Sequence, residues 1–337
     1  MDKKREKVLI ISPNWLGDAV MSMPAVKEFR RRNTDLHITM LAKPSVAELW
    51  RMHDSADKVV VLPPGNSGTF RTAAALRALK IPRAIILPNS FRSALIPFLA
   101  GIPERRGFSR HGRRLLLTDA VKPFSDKKVS FHQKFEYLKL LCDETGGELV
   151  ETGFTPPASS ISKDLEFGDD YFIIGLIPGA ARGDSKRWPY FMETASLLLE
   201  MNDRLRFIVL GSKNERELCE SVACGIGDRA VNLAGKTDLR EFAAVLGHCH
   251  LVLCNDSGGM HLASAAGVPV VAVYGITDPS KTGPIGRGAA VVRAESVHVS
   301  RDISRSSRKA AAALKSVSPE KVAETVMKKI LDREDNA

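Results

Sequence analysis

Val8-Leu9-Ile10-Ile11-Ser12-Pro13-Asn14-Trp15-Leu16-Gly17-Asp18-Ala19-Val20 reads as an apolar strand, a tight glycine-containing turn and the start of a helix, with one carboxylate, Asp18, where the helix begins. In an α/β protein the carboxyl end of such a strand opens onto the ligand crevice. An acid placed there can take a proton from a bound hydroxyl. It also has a plainer reading, as a helix-start carboxylate that complements the helix dipole. Asn14 and Trp15 flank the turn and are candidates to touch a sugar. A second strand–turn–helix stretch lies far along the chain, where the apolar run Leu251–Cys254 leads into Asn255-Asp256-Ser257-Gly258-Gly259-Met260-His261.

Working outward, the first half alternates short apolar runs with helical periods. Strands are predicted at Val8–Ser12, Leu36–Leu41, Lys58–Leu62 and Ala84–Leu87, and helices at Ala19–Arg32, Thr69–Leu79 and Phe91–Ala100. This alternation argues for a parallel sheet. An amphipathic helix is expected over Ser130–Glu144, with Phe131, Phe135, Leu138 and Cys142 near one face. Thr152–Asp170 has little periodicity and contains Pro156-Pro157, so it reads as a linker. The alternation then restarts, with strands at Phe172–Ile177, Phe207–Leu210, Ala230–Leu233, Leu251–Cys254 and Val268–Val273. Helices are expected near Tyr190–Met201, Asn214–Cys224, Leu239–Leu246 and Met260–Ala266. A last helix, Pro319–Asp332, is capped by Ser318 with Pro at its first position. Ser304–Ala313 reads as a loop or a short basic helix. The fold class is α/β: two doubly wound, Rossmann-like domains, 1–155 and 171–317, facing a cleft, with a terminal helix over 318–337.

At 337 residues the chain is long enough for two such cores, and its 44% hydrophobic and 26% charged content are those of a globular protein. The apolar run behind the charged start is too short for a cleavable leader, and nothing reaches the length of a membrane span, so a cytoplasmic location is expected. The five cysteines, Cys142, Cys219, Cys224, Cys249 and Cys254, form no metal-ligand spacing and are expected to be free, mostly packed thiols. No metal site and no cofactor are expected. The net charge of +10 lies wholly in residues 1–155, which hold 26 Lys and Arg against 16 Asp and Glu, while 156–337 balance at 23 of each. That asymmetry reads as either a solvated basic face or an anionic partner for the first domain.

In the second half, Pro178-Gly179-Ala180-Ala181-Arg182-Gly183-Asp184-Ser185-Lys186-Arg187-Trp188-Pro189 follows a strand. Small residues such as Gly179 and Ala180 let backbone amides approach a diphosphate, and Lys186 or Arg187 can neutralise it. In the 255–261 stretch, Ser257, Gly258 and Gly259 precede a helix whose exposed amides favour phosphate. Asp256 reads as a donor contact or as a helix cap, and His261 as a ligand or as a buried helix residue. Glu215, after Gly211-Ser212, would accept bonds from ribose or sugar hydroxyls, or cap its helix. The stretch is no G-x-G-x-x-G fingerprint and follows a late strand, which disfavours a dinucleotide oxidoreductase. Arg92, Arg105, Arg106, Arg110, Arg113 and Arg114 form the densest basic cluster, opposed only by Glu104. Beside apolar Ala94–Ile102 and Leu115–Leu117 they suit an anionic, lipid-linked acceptor. Nucleic acid is disfavoured: the chain carries three tryptophans and four tyrosines and shows no recognition motif.

Taken in order, Asn14-Trp15-Leu16-Gly17-Asp18, Pro178-Gly179-Ala180 with Lys186-Arg187-Trp188-Pro189, Leu233-Ala234-Gly235, and Asn255-Asp256-Ser257-Gly258 with Met260-His261 resemble the ADP-heptose:lipopolysaccharide heptosyltransferases, glycosyltransferase family 9, most closely the heptosyltransferase II type. The resemblance implies a GT-B fold without a metal. It also implies an inverting transfer of heptose from an ADP-heptose donor to the lipopolysaccharide inner core, at the inner face of the cytoplasmic membrane. It makes the first domain acceptor-binding and the second ADP-sugar-binding. Asp18 becomes the general base and Lys186 the stabiliser of departing ADP. Gly179, Ala180, Lys186, Glu215, Asp256, Ser257, Gly258, Gly259, Met260 and His261 become donor contacts. Asn14, Trp15, Arg92, Arg105, Arg106, Arg110 and Arg113 become acceptor contacts. The family further implies that the final helix crosses back to the first domain, with closure about the 152–170 linker. Many members carry a cysteine within the stretch matching 297–317, and this chain has none there. The competing readings are a GT-B sugar-nucleotide epimerase or hydrolase, which needs more acid–base groups than Asp18 and Glu215, and a non-catalytic nucleotide-sugar binding protein, indifferent to loss of Asp18.

Overall fold

In the computed structural model the described residues are 5–124, 131–147, 154–158, 170–295 and 307–334. The 159–169 part of the expected linker and the 297–306 part of the cysteine-free segment lie outside them. The chain divides into two compact units, Met1–Thr152 and Gly153–Ala337.

The first unit runs β1 (Lys7–Ile11), α1 (Leu16–Arg32), β2 (His37–Ala42), α2 (Pro44–Met52), β3 (Lys58–Val61), α3 (Gly65–Ala78), β4 (Arg83–Ile86), α4 (Phe91–Leu99), β5 (Glu104–Phe108), β6 (Asp119–Val121) and α5 (Lys134–Cys142). Its six strands form one sheet in the order β3-β2-β1-β4-β5-β6. All pairings are parallel, and Val8 stands between Ile38 and Arg83. Central strands such as Val8–Ile11 are apolar throughout because both sheet faces are covered. Parallel crossovers are right-handed, so the reversal of strand order at β1 sends α1 and α2 to one face and α3 and α4 to the other. Packing follows suit: α1 lies against α2 and α5, and α3 against α4.

Several elements differ from the sequence reading. Helix α1 begins at Leu16, so Asp18 sits inside its first turn. Helix α2 was not read from the sequence; Pro44 stands at its start, where the missing N–H costs nothing. Strand β5 was hidden by its composition, Glu-Arg-Arg-Gly-Phe. The buried face of α5 is Tyr137, Leu138, Leu140 and Leu141, while Phe131 and Phe135 are only half-buried.

Just beyond α2, His53 is buried edge-on against Trp50, with ring centroids 5.6 Å apart, and its Nε2 has no hydrogen-bond partner. Burial pulls its pKa down from 6.5 to about 4. The unfolded chain therefore binds a proton that the folded one refuses. The contribution to stability is complete above about pH 6.5 and is lost as pH falls toward about 4, on the order of 3 kcal/mol. Thermal unfolding followed between those pH values should show this loss shrinking in a His53→Gln variant. An unchanged pH dependence in the variant would sink the assignment.

The second unit runs β7 (Phe172–Ile177), α6 (Phe191–Met201), β8 (Leu205–Val209), α7 (Arg216–Ile226), β9 (Ala230–Asn232), α8 (Leu239–His248), β10 (Leu251–Asn255), α9 (Gly258–Ala265), β11 (Val270–Tyr274), α10 (Pro279–Thr282), β12 (Ala290–Arg293), α11 (Arg308–Lys315) and α12 (Pro319–Glu334). Its sheet order is β12-β11-β10-β7-β8-β9. Counted from its own first strand, that is the order of the first sheet, so both units are doubly wound and Rossmann-like. The core joins Leu176, Phe207, Leu253 and Val271 to Trp188, Phe191 and the α12 residues Val322, Val326 and Ile330. Helix α12 packs on α6, β11 and β12, and its start is capped by Ser318 Oγ, which accepts from Lys321 N at 3.3 Å. Ser304–Ala313 resolves in its described part into α11, a helix. The five cysteines are free, and Cys219, Cys249 and Cys254 are buried. No described helix is long and apolar enough to cross a membrane.

Candidate functional site

In each sheet the strand order reverses beside the unit's first strand, and loops leaving the two strands there part to opposite faces. In the first unit that edge carries the turn after β1. Asp18 lies one turn into α1, and its Oδ1 accepts a bond from Gln133 Nε2 at 2.8 Å. The same Nε2 donates to Tyr137 Oη at 2.8 Å. Tyr137 is held well above its usual pKa, by burial first and then by the Asp18 carboxylate, so its hydroxyl stays neutral. The amide thus fixes the orientation of Asp18 without supplying a proton. Neither Gln133 nor Tyr137 was found from sequence. Their signal was a polar pair, i and i+4, at the start of α5, the helix that packs against α1. Trp15, the residue before α1, has 63% of its surface exposed, and Asn14 beside it is half-buried.

In the second unit the reversal lies between β7 and β10, and three contacts tie the loops beyond these strands together. Asn255 Nδ2 donates to Pro178 O at 2.7 Å, and Asn255 Oδ1 accepts from Trp188 N at 2.9 Å. Lys186 Nζ donates to Asp256 Oδ2 at 2.5 Å, an ion pair whose side chains are only 18% and 8% exposed. Thr277 Oγ1 donates to the same Oδ2 at 2.6 Å. Trp188, buried, donates from Nε1 to Val317 O and anchors the loop that carries Lys186. Thr277 was missed from sequence, since nothing in its neighbours marks it.

Asp256 therefore does not cap α9. The preceding residue of that helix is Ser257, whose side chain makes no cap bond. Its Oγ is buried and has no hydrogen-bond partner. The Gly258 and Gly259 amides follow it in the first turn, where N–H groups lack intrahelical acceptors. A Cβ on Gly259 would sit 2.9 Å from Ile177 Cδ1, which explains the second glycine. The arrangement is a small cradle with a free hydroxyl, helix-start amides and a lysine close by, suited to an oxyanion.

Other expected donor residues are placed differently. Glu215 closes a capping box, its Oε2 accepting from Ser212 N at 2.8 Å and Ser212 Oγ at 2.7 Å. It also stands against Gly179, where an added Cβ would meet Glu215 Oε1 at 2.2 Å. Ala180 is buried after β7. The Met260 side chain is a correction: it is fully buried, with its sulfur 3.4 Å from Tyr274 Oη, and belongs to the core. His261 is buried within α9.

The arginines also need correction. Arg113 is fully buried, donating to the carbonyls of Phe108 and Pro88 and to Asn89 Oδ1, and burial lowers its pKa to about 10. Arg106 pairs with Asp119 and Asp143 and donates to Leu140 O. Arg105 donates to Leu116 O and Ile102 O. Arg92 donates to Thr69 Oγ1 and Gly65 O, and Arg110 pairs with Glu136 at 3.4 Å. Arg105, Arg106, Arg110 and Arg113 staple β5 and its loops to their surroundings, and Arg92 ties α4 to α3. Among the described residues no group of three or more His, Cys, Asp or Glu is placed to hold a metal ion.

The comparisons with known proteins agree with one another. The family model of glycosyltransferase family 9 (heptosyltransferase) matches residues 69–311. The lipooligosaccharide heptosyltransferase 2 of Haemophilus ducreyi is 31% identical over 323 residues, covering 85% of this chain and 88% of the relative. The lipopolysaccharide heptosyltransferase 2 of Escherichia coli is 29% identical over 309 residues, with the same coverage of 85% and 88%. The solved structure of E. coli ADP-heptose lps heptosyltransferase II matches with a TM-score of 0.82 at 26% identity, over 97% of this chain and 99% of that one.

Proposed function

Since the chain belongs to glycosyltransferase family 9, the heptosyltransferases, we propose that it moves heptose from ADP-heptose to the inner core of a lipopolysaccharide, as the names of its heptosyltransferase 2 relatives suggest. The observation that carries the donor half is the cradle at α9: the unpartnered Ser257 hydroxyl, the glycine amides and the Lys186–Asp256 pair. The ADP diphosphate receives amide and hydroxyl donors there, and Lys186 turns part of its charge from Asp256 to the phosphate.

In the reaction an acceptor hydroxyl oxygen attacks the anomeric carbon of the heptose. Asp18 takes the hydroxyl proton, the bond from that carbon to the β-phosphate oxygen breaks, and ADP leaves with the electron pair. Attack from the face opposite the leaving group inverts the centre. Asp18 is suited to this work because Gln133 holds its carboxylate in one orientation at the sheet's carboxyl edge. Fixed donors and a cation aimed at the departing diphosphate supply the charge stabilisation that the step needs. Trp15, exposed beside the turn, and Asn14 are positioned to contact acceptor sugar. The lipid-linked acceptor brings the protein to a membrane face.

ADP release from ADP-heptose should rise sharply when a monoheptosylated inner-core acceptor is added. Equal release without acceptor would reveal a hydrolase. Donor binding with no release under either condition would reveal a binding protein.

A further inference from the structure

The exposed large apolar side chains of the first unit concentrate on one layer. Phe70 on α3, Phe91 and Phe98 on α4, and Leu115 in the short 3-10 turn Arg113–Leu116 are 61%, 49%, 45% and 91% exposed. Phe91, Leu95 and Phe98 follow the i, i+4, i+7 spacing of one helix stripe, and none of the three is buried. The buried residues of α4, Ser93, Ala94, Ile96 and Pro97, face the unit's interior, and Ala94 and Ile96 join its core.

Hydrogen bonds tie together the elements that carry these side chains. Arg92 in the first turn of α4 donates to Thr69 Oγ1 at 2.8 Å and ties the start of α4, which carries Phe91, to the first half of α3, which carries Phe70. The Arg105 guanidinium lies 5.5 Å from the centre of the Phe98 ring and donates to Leu116 O at 2.8 Å, so it joins Phe98 to the Leu115 turn. Arg77 at the end of α3 donates to Leu99 O, which keeps the two helices side by side to their C-terminal ends. The exposed apolar side chains thus sit on three neighbouring elements, α3, α4 and the turn after β5.

Its charge is one-sided. Between Asp57 and Asp119 the chain holds eleven Lys and Arg and a single acid, Glu104. Several of these bases serve structure, as described above. Arg71 and Arg114 stand exposed, each next in sequence to an apolar side chain of the stripe, Phe70 and Leu115. Both lie clear of any acidic neighbour in sequence, whereas exposed arginines elsewhere, such as Arg31 and Arg51, pair with glutamates one turn away on their own helices.

We infer that the outer face of α3, α4 and the 113–116 turn docks on an anionic phospholipid bilayer. Phe70, Phe91, Phe98 and Leu115 enter the boundary between headgroups and acyl chains, while Arg71 and Arg114 meet the phosphates. Aromatic side chains suit that boundary, and basic groups among them add attraction to anionic headgroups. The helices α1 and α4 both begin at the carboxyl edge of the sheet, so the Phe91 end of the stripe shares that edge with the turn holding Asp18. A bilayer met by this face holds a lipid-anchored acceptor next to the edge where the base sits. The surface itself does not depend on the sugar transferred; its use in catalysis rests on the function proposed above.

The test is flotation of the full chain with vesicles of phosphatidylcholine, with and without phosphatidylglycerol. The native protein should float with the mixed vesicles, and added salt should weaken the binding. Phe70→Ser/Phe98→Ser/Leu115→Ser should lower the partition about tenfold or more. Arg71→Ser/Arg114→Ser should lower it on the order of fivefold for each charge removed. Both variants change exposed side chains, so they should unfold at the native temperature and transfer heptose to a delipidated, soluble core acceptor at the native rate. Absence of native binding to mixed vesicles overturns the docking surface and leaves the transferase intact. So do full binding by either variant, or a stripe-dependent dimer in place of vesicle binding. Loss of transfer to the soluble acceptor in the native chain would instead count against the proposed function alone.

Discussion

Asp18→Asn should lower the rate of heptose transfer by about 10²- to 10⁴-fold, the usual contribution of a positioned general base. The substitution is nearly isosteric. Its side-chain oxygen can still accept from Gln133 Nε2, which now lies 2.8 Å from Asp18 Oδ1, so α1 and α5 should stay packed. The amide cannot take the acceptor proton. Steady-state assays of ADP release should therefore show kcat falling while the affinity for ADP-heptose, measured by calorimetry, stays native. Gln133→Ala gives a graded companion: the carboxylate is kept but loses its fixed orientation, and the loss should be smaller than for Asp18→Asn. Near-native kcat in Asp18→Asn would remove Asp18 as the base and return it to the role of a helix-start charge.

Lys186→Ala should be costly in two separable ways. The ion pair with Asp256 is largely withdrawn from water, so removing the lysine strands a carboxylate left with only neutral hydroxyl partners, Thr277 and Tyr274, among its described side-chain contacts. Breaking a buried pair from one side costs about 3–5 kcal/mol. For a unit of this size each kcal/mol lowers the unfolding temperature by roughly 2–4 °C. Independently, on the proposed function a charged donor to the diphosphate is lost, which should weaken ADP binding by about 10- to 100-fold. The double change Lys186→Met/Asp256→Leu separates the two effects. With both charges gone the stranded group disappears, so thermal stability should recover much of its loss while ADP affinity stays poor. Recovery of ADP binding along with stability would mean that Lys186 only holds the loop in place.

What the sequence showed and what it hid divide along physical lines. Strands such as Leu251–Asn255 are legible because a parallel strand covered on both faces must be apolar throughout. The turns after β1 and β10 are legible because an apolar strand breaks there into short polar residues and glycine just before a helix starts. Strand β5 was not, because its arginines read as an anion-binding cluster, whereas their guanidinium groups reach backbone carbonyls of Leu116, Ile102 and Leu140. The same misreading produced an anion-binding cluster out of residues such as Arg113, a buried staple. Helix boundaries slipped where no side-chain cap marks them, as at Trp15. The pairs that shape the two half-sites, Gln133 with Asp18 and Lys186 with Asp256, join positions 115 and 70 residues apart, and no local pattern announces them.

The shared strand order also bears on how each unit folds. In both sheets the central seam joins the most distant partners, Val8 with Arg83 and Ile174 with Leu251. Every other pairing closes a much shorter loop. The flanking strand–helix–strand halves can thus assemble locally, while the seam waits on the largest loss of chain entropy. That seam is also where strand order reverses, and in the second unit it is bridged by Asn255 and by the Lys186–Asp256 pair. A nucleotide seated there spans both halves after the slowest pairing has formed. It therefore acts as a clasp that chiefly slows unfolding, so bound ADP should lengthen the native lifetime more than it shortens the time to fold.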